Sequence, residues 1–488
     1  MKNKRIILGS ISIAIICTCF LASCKEPKPD KKNVLFITID DLTTRAISAY
    51  NPEGAKTPNI DKLASEATIF NRAYCQFPVC GPSRASFMFG YYPHATNTFG
   101  YTNGRENVGS RQSLAQLFKD EGYYTARVSK IFHMGIPIDI EKGSNGADDS
   151  LSWGERYNCK APEWQLPGKA ELVQNNPDGE IERKGGNVMT IVRGSGADLE
   201  NADKQAANKA CELIRAHKNE AFFLALGFVR PHVPWVAPSR YFDEYNYDSI
   251  QLPTKIKDDW SDIPQRGINY VTSTNGQMSI EQQKKAVAAY YSSVAFVDDM
   301  LGQVLETLKS EGLEDNTIVV LVSDHGFHLG EHDFWMKVSL HEESVKVPFI
   351  IKTPGKKPAR CGELVELIDI YPTIAELAGI EYSHNIQGKS LVPTLDNANT
   401  GLRDFIFSTS LGGTSFLIED KNWAYIQYGE DAQQGMELFD MNKDPKQYTN
   451  LAEDKNYADI LAKYQQKLKN KLAEVRQNDL RSQELNNK

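Results

Sequence analysis

The sequence predicts an α/β protein: a large mixed, mainly parallel sheet flanked by helices, followed by a smaller antiparallel sheet with one helix. Three observations carry that reading. Short, almost uninterrupted apolar runs at 33–39 (NVLFITI), 221–228 (AFFLALGF) and 317–322 (TIVVLV) read as strands buried on both faces. Segments with helical apolar spacing lie between them, the alternation that builds parallel sheets. After about residue 395 the texture changes to short strand-like runs and a charged helix.

The chain opens with Lys2, Lys4 and Arg5, then an apolar stretch from Ile6 to Leu21 that is short for a membrane span. Leu21-Ala22-Ser23-Cys24 follows and resembles a bacterial lipobox. On that reading residues 1–23 are a signal peptide, Cys24 carries lipid and 24–32 is a polar tether. The membrane is then met only through the lipid, in the periplasm or on the outer-membrane surface of a Gram-negative bacterium.

Thr57-Pro58 reads as an N-cap with proline at the first helical position, and Ile60, Leu63, Ala64 and Ala67 form the buried stripe of that helix. Ser113 to Asp120 is a second helix, closed by Gly122, and Tyr124 to Val128 a strand. Asp203 to Ala216 is helical. Glu281 to Lys309 is a long amphipathic helix that ends at Gly312 and buries a face running from Val287 to Leu308. Val347 to Lys352 adds a strand. Residues 139–200 and 245–280, rich in Gly, Asn, Asp and Pro, read as surface excursions. The larger unit is placed at 33–395. The smaller, at 396–488, holds runs near 405–408, 416–418, 423–428 and 437–439 and a helix from about Asn456 to Arg476.

Of 488 residues, 41% are hydrophobic and 24% charged, which fits a globular protein. Lys and Arg number 55 against 63 acids, a net charge of −8, and so large an acidic balance argues against a nucleic-acid partner. After Cys24 the cysteines are Cys75, Cys80, Cys159, Cys211 and Cys361, with no Cys-x-x-Cys pair for zinc or redox work.

Asp40-Asp41 ends the first predicted strand and Asp324-His325-Gly326 ends the 317–322 strand, where open α/β sheets bind ligands. Taken singly, the first reads as a helix N-cap pair and the second as a turn. Together they favour a hard divalent cation, since adjacent carboxylates need neutralising. Between them lies Cys80-Gly81-Pro82-Ser83-Arg84, which resembles the Cys-x-Pro-Ser-Arg signature of the sulfatase family. A Lys/His pair (Lys130, His133), Pro231-His232-Val233-Pro234 and the Asp-His-Gly follow in that family's order. The likeness spans almost the whole mature chain and extends to Glu437-Leu438-Phe439-Asp440.

The resemblance implies an alkaline-phosphatase-like fold and a sulfuric ester hydrolase. It implies that a maturation enzyme oxidises Cys80 to formylglycine, whose hydrate attacks sulfur. It implies calcium held by Asp40, Asp41, Asp324 and an oxygen of modified Cys80. The fifth family ligand is often Asn and here is His325, a poor partner for a hard cation and otherwise a sulfate contact. By the same resemblance Arg84 holds the hydrate, Ser83 orients, and Lys130 and Lys337 bind the sulfate. His232 protonates the leaving alcohol and His133 takes a proton from the hydrate. The Lys-x-x-His spacing and the Arg230-to-Trp235 block are similar to the iduronate-2-sulfatase-like branch. That implies a sulfated oligosaccharide as partner, through the 2-O-sulfate of a uronic acid in heparan or dermatan sulfate. Alternatives are another sulfated glycan, a phosphonate monoester hydrolase of the same superfamily, or a surface glycan binder in which Cys80 stays unoxidised. Phe327, Trp335 and His341 read as core or as the lining of a sugar subsite.

Overall fold

A computed structural model describes residues 31–165, 168–173, 188–195, 200–477 and 480. The predicted signal peptide and Cys24 lie outside the described residues. Eight strands form the main sheet: β1 (Asn33–Ile39), β2 (Thr68–Tyr74), β3 (Tyr124–Ser129), β4 (Glu155–Tyr157), β5 (Phe222–Phe228), β6 (Thr317–Ser323), β7 (Lys346–Lys352) and β8 (Ala359–Glu366). Their order is β8-β2-β7-β6-β1-β5-β3-β4. Every neighbouring pair is parallel except the two made by β7.

β1, β5 and β6 are buried at every position, and that double burial is why they read as continuous apolar runs. Alternate residues divide between two cores. Leu35, Ile37 and Ile39 face helices α1 (Pro58–Ser65), α4 (Ala202–Ala216) and α5 (Ile280–Ser310). Val34 and Phe36 face α2 (Cys80–Phe89), α3 (Leu114–Asp120) and α6 (Ile370–Leu377). The sequence reading missed β2 and β8. Half-buried Asn71 and Arg72 interrupt one, and exposed or half-buried charges interrupt the other, so neither shows an apolar run.

Four strands, β9 (Ile406–Ser410), β10 (Ser415–Glu419), β11 (Trp423–Tyr428) and β12 (Met436–Asp440), form the smaller sheet as an antiparallel meander. Helix α7 (Ala458–Arg476) packs into the same cluster through Tyr464, Leu468, Leu472 and Val475. The 139–200 excursion is more than loop: Gly168–Leu172 and Thr190–Gly194 join Trp235–Pro238 in a three-stranded sheet. Phe327, Trp335 and His341 are buried in the packed interior, which removes them as a sugar lining. All five cysteines of the described residues are buried and free.

Candidate active site

The site is built at the carboxyl ends of β1, β3 and β6 and at the amino end of α2. β1 runs into Asp40, whose amide donates to the Phe228 carbonyl at 3.1 Å. Asp41 then leaves the sheet at φ 63, a left-handed conformation that Asp tolerates better than most residues. Its amide donates to Asp324 Oδ1 at 3.3 Å, and its carbonyl accepts the Tyr290 hydroxyl of α5 at 2.5 Å. Tyr290 lies on the buried face of the long helix, and one aromatic on an apolar helix face carries no sequence signal for such a role.

Cys80 is the first residue of α2, all ten residues of which are buried. Position 81 must be small, because a Cβ there would meet the Gly100 carbonyl oxygen at 2.6 Å. The Ser83 hydroxyl donates to the Asp324 carbonyl and so fixes α2 to the end of β6. Cys80 Sγ lies 3.5 Å from Asp40 Oδ1, 4.0 Å from Asp41 Oδ1 and 3.2 Å from His325 Nε2. The helix amino end adds a field that favours an anion in front of it.

Arg84, one turn after Cys80, is fully buried and binds a frame rather than the nucleophile. Its Nε donates to Asp324 Oδ2 at 2.8 Å, Nη2 to Asp40 Oδ1 at 3.0 Å, and Nη1 to the carbonyls of Lys130 and Ile131 at 2.8 and 2.9 Å. Lys130 Nζ donates to Asp40 Oδ2 at 2.5 Å. Lys337 Nζ donates to Asp41 Oδ1 at 2.5 Å and to Cys80 Sγ at 3.3 Å. Three carboxylates thus face three buried cationic side chains.

Burial alone would raise Asp40, but Lys130 and Arg84 outweigh it and hold the carboxyl well below its ordinary value. Burial opposes Asp41 as well, and His232 and Lys337 bring it down. The Cys80 thiol moves the other way. Burial, with the Asp40 carboxylate next, pushes its pKa far up, so the unmodified side chain is a protonated thiol with little thiolate to attack anything.

The histidines differ in their settings. His325 Nδ1 donates to the Gly326 carbonyl at 2.9 Å, which leaves the Nε2 lone pair facing Cys80, with Asp41 Oδ1 at 3.3 Å. His232 Nδ1 donates to the Val233 carbonyl at 2.6 Å and presents Nε2 toward Asp41 Oδ2 at 3.9 Å. Burial lowers its pKa to about 4, so the ring is neutral near pH 7. Burial and Lys130 lower His133 to about 2. His133 Nδ1 is buried without a hydrogen-bond partner among the described residues, and the ring stacks on Tyr101 at 4.5 Å.

One ligand atom each from Asp40, Asp41, Cys80 and His325 lie within 4.8 Å of one another, a group able to hold a metal ion. Asp324 adjoins this group, with Oδ2 3.6 Å from His325 Nε2, but its oxygens are engaged by the Asp41 amide and by Arg84. The structure therefore brings together Asp40, Asp41, Cys80, Arg84, Lys130, His232, Asp324, His325 and Lys337. His133 stands beside them against Tyr101.

Comparison with known proteins agrees with this geometry. The family description "Sulfatase" matches residues 32–380, and "N-sulphoglucosamine sulphohydrolase, C-terminal" matches 330–478. A sulfatase of Formosa agariphila is 34% identical, over 93% of this chain and 89% of its own. Human iduronate 2-sulfatase is 31% identical, over 72% of this chain and 70% of its own. Among solved structures, a 2-O GAG sulfatase superimposes with a TM-score of 0.68 at 25% identity, over 93% of this chain and 94% of its own. The phosphonate monoester hydrolase of Agrobacterium radiobacter gives 0.76 at 20% identity, over 92% and 97%, which is a likeness of fold. The family uses a formylglycine and a metal, and the buried cluster around Cys80 offers a place for both. With the family match covering most of the chain and the site assembled at its signature cysteine, the chain belongs to the sulfatase family and is a sulfuric ester hydrolase.

Proposed function

We propose that the protein hydrolyses the 2-O-sulfate of uronic acid residues in heparan or dermatan sulfate oligosaccharides, using formylglycine at position 80 and calcium. The observation that carries the reaction is the charge count around Cys80. Asp40, Asp41 and Asp324 balance Arg84, Lys130 and Lys337. A divalent cation adds two positive charges, which one deprotonated hydroxyl at position 80 and one sulfate ester monoanion cancel. A phosphate monoester dianion would exceed that balance by one.

The donor set fits a cation of this kind. Two carboxylates suit a hard ion, and the Cys80 sulfur stands where an oxygen of hydrated formylglycine would lie, a better donor to it. His325 would complete the set through Nε2, and Asp324 would contribute by turning an oxygen from Arg84. When bound, the cation lowers the pKa of the hydroxyl at position 80 and balances charge on the sulfuryl oxygens. The remaining work belongs to the chain. Lys130 and Lys337 hold the sulfuryl oxygens, and Arg84 fixes Asp40 and Asp324. His232, with Nδ1 tied to a carbonyl, uses Nε2 to carry a proton to the departing alcohol. The arriving anion favours that proton by raising the affinity of the ring for it. His133, with Nδ1 free of any partner among the described residues, accepts the proton released at position 80 once the arriving anion offsets Lys130 and raises the ring's affinity for it.

The 2-O position is supported by the likeness to iduronate 2-sulfatase and to the 2-O GAG sulfatase, and by the Lys130-x-x-His133 spacing. Matured protein is to be offered defined 2-O-, 6-O- and N-sulfated disaccharides, with free sulfate measured. Release from the 2-O-sulfated uronate alone is expected; release only from a 6-O-sulfated hexosamine overturns the position. In parallel, the mass of the tryptic peptide spanning Cys80 is expected to show CH2SH replaced by CHO, and an intact thiol in active material would refute the nucleophile. The maturation enzyme that makes this change is the second partner of the reading.

Export and a lipid on Cys24 belong to the same proposal, supported by the 1–24 motif. Cys24→Ala is expected to move the protein from the membrane to the soluble fraction. Unchanged partition would exclude the anchor.

A further inference from the structure

Among the described residues six large apolar side chains stand exposed, and only two of them are aromatic: Tyr101 at 60% and Tyr270 at 52%. Both stand at the mouth of the same site. The backbone of Gly100 and Tyr101 lies against Gly81, so close that a Cβ on that glycine would meet Tyr101 Cα at 3.0 Å. The Tyr101 ring stacks on His133, interplanar angle 26°. Tyr270 follows Asn269, whose side-chain amide donates to the carbonyls of Trp335 at 3.2 Å and Lys337 at 3.0 Å. Tyr270 therefore rides on the segment that delivers Lys337. Partial burial raises the pKa of each phenol, and the Lys337 ammonium is the largest influence opposing that rise in both.

Neither ring sits on a loose loop. Asn103 Nδ2 donates to the Asp148 carbonyl at 2.8 Å and Arg105 Nε to Asp149 Oδ1 at 3.0 Å, bracing the loop that carries Tyr101. The Val271 amide donates to Asn269 Oδ1 at 3.1 Å and the Trp335 amide to the Val271 carbonyl at 2.8 Å, bracing the other. A tyrosine held this way offers a rigid flat apolar face with a polar rim at low entropic cost. A pyranose has the matching surface, a C–H face edged by hydroxyls.

We propose that Tyr101 and Tyr270 form a second sugar subsite that holds the pyranose next to the sulfated one. This rests on the carbohydrate reading above. The sulfated ring is fixed by Lys130, Lys337 and the group at position 80, and its neighbour leaves the pocket between the two phenols. The subsite sets the preference for an oligosaccharide over a single sulfated sugar without touching the reacting atoms.

The test compares the methyl glycoside of a 2-sulfated uronic acid with the disaccharide carrying that residue at its non-reducing end. Substrates are given to wild type, Tyr270→Ala, Tyr270→Phe, Tyr101→Ala and Tyr101→Phe. In each Ala variant the disaccharide-to-monosaccharide ratio of kcat/KM is expected to fall roughly five- to tenfold, through KM, the size expected for one aromatic contact. The Phe variants keep the ratio. Tyr270→Ala is the cleaner arm, because Tyr101 also supports His133 and its loss can lower kcat on both substrates. An unchanged ratio in Tyr270→Ala, with sulfate still released, overturns the subsite. No release from either sugar by wild type that still cleaves an aryl sulfate overturns the carbohydrate reading, and the subsite with it.

Discussion

Arg84 holds the site together by aiming its donors at the three segments that leave strands of the main sheet. Asp40 follows β1, Asp324 follows β6, and the carbonyls of Lys130 and Ile131 follow β3. Only a planar fork of N–H groups spans them; a lysine ammonium is one point on a flexible stem. Arg84→Lys keeps the charge and loses the geometry. It is expected to cost about 3–5 kcal/mol of stability by leaving a buried carboxylate short of its partner, read as a fall in the urea midpoint, and to abolish turnover. Full activity in the folded variant would show that the frame tolerates slack. Lys337 is the complementary case, since among the described residues its ammonium bonds only Asp41 and Cys80. Lys337→Ala is expected to fold and to lose roughly 10²–10³ in kcat, the usual result of removing one group that stabilises transition-state charge. The signature motif made Arg84 legible as a site residue but not its partners. The resemblance assigns it to the hydrate at position 80; the hydrogen bonds that seat it run to residues 44 and 240 positions away, and such pairings leave no local trace.

At the scale of elements the same split between boundary and partner recurs in α1. Thr57-Pro58 correctly marks its start, yet Thr57 makes no side-chain cap bond. Asp298, in the middle of α5, does that work. Its carboxylate accepts from the Asn59 amide at 3.0 Å, from Asn59 Nδ2 at 2.9 Å and from the Ile60 amide at 2.8 Å. Helix ends leave such amides free, and the sequence signal says where but not who will satisfy them. Burial raises the Asp298 pKa to about 6, against 3.8 for the free side chain, and the amides oppose that only in part. The folded state thus binds this proton more tightly than the unfolded one. Its stabilising share is complete below about pH 4 and is lost as pH rises through about 6. The difference, about two pKa units, is worth at most about 3 kcal/mol. Asp298→Asn keeps an acceptor and cannot titrate. The variant is expected to be less stable than wild type at pH 4.5 and to recover relative to it by pH 7.5, in urea titrations at both values. A constant gap between the two proteins would exclude Asp298 as the titrating group.

For the folded chain as a whole, the change of texture near residue 395 correctly announced a second sheet, but not how tightly it is joined to the first. Ile406, Leu417, Ala424 and Ile426 of the smaller sheet lie in the same buried cluster as Val34 and Phe36 of β1. The polar contacts match. The Tyr74 hydroxyl, at the end of β2, donates to Glu419 of β10 at 2.6 Å, and His341 Nε2 lies 3.0 Å from Glu437 Oε2 of β12. Arg403, just before β9, reaches back to Asp369 with both terminal nitrogens and to Glu366, with Nε 3.3 Å from its Oε2. Composition and periodicity describe each segment by itself, so they locate the boundary and are silent on contacts made across it. Glu366 and Asp369 are buried in the larger sheet's own territory, and without Arg403 both would be left short of positive charge. The two sheets are expected to melt as one unit, so that far-ultraviolet circular dichroism and tryptophan fluorescence give coincident urea transitions. Arg403→Ala is expected to move both probes together, by about 3–5 kcal/mol, and a chain cut after residue 400 is expected not to fold. A first transition confined to the fluorescence of Trp423 (followed with the other tryptophans replaced by phenylalanine), with the main sheet intact, would show instead that the smaller sheet is an independent domain resting on the larger one.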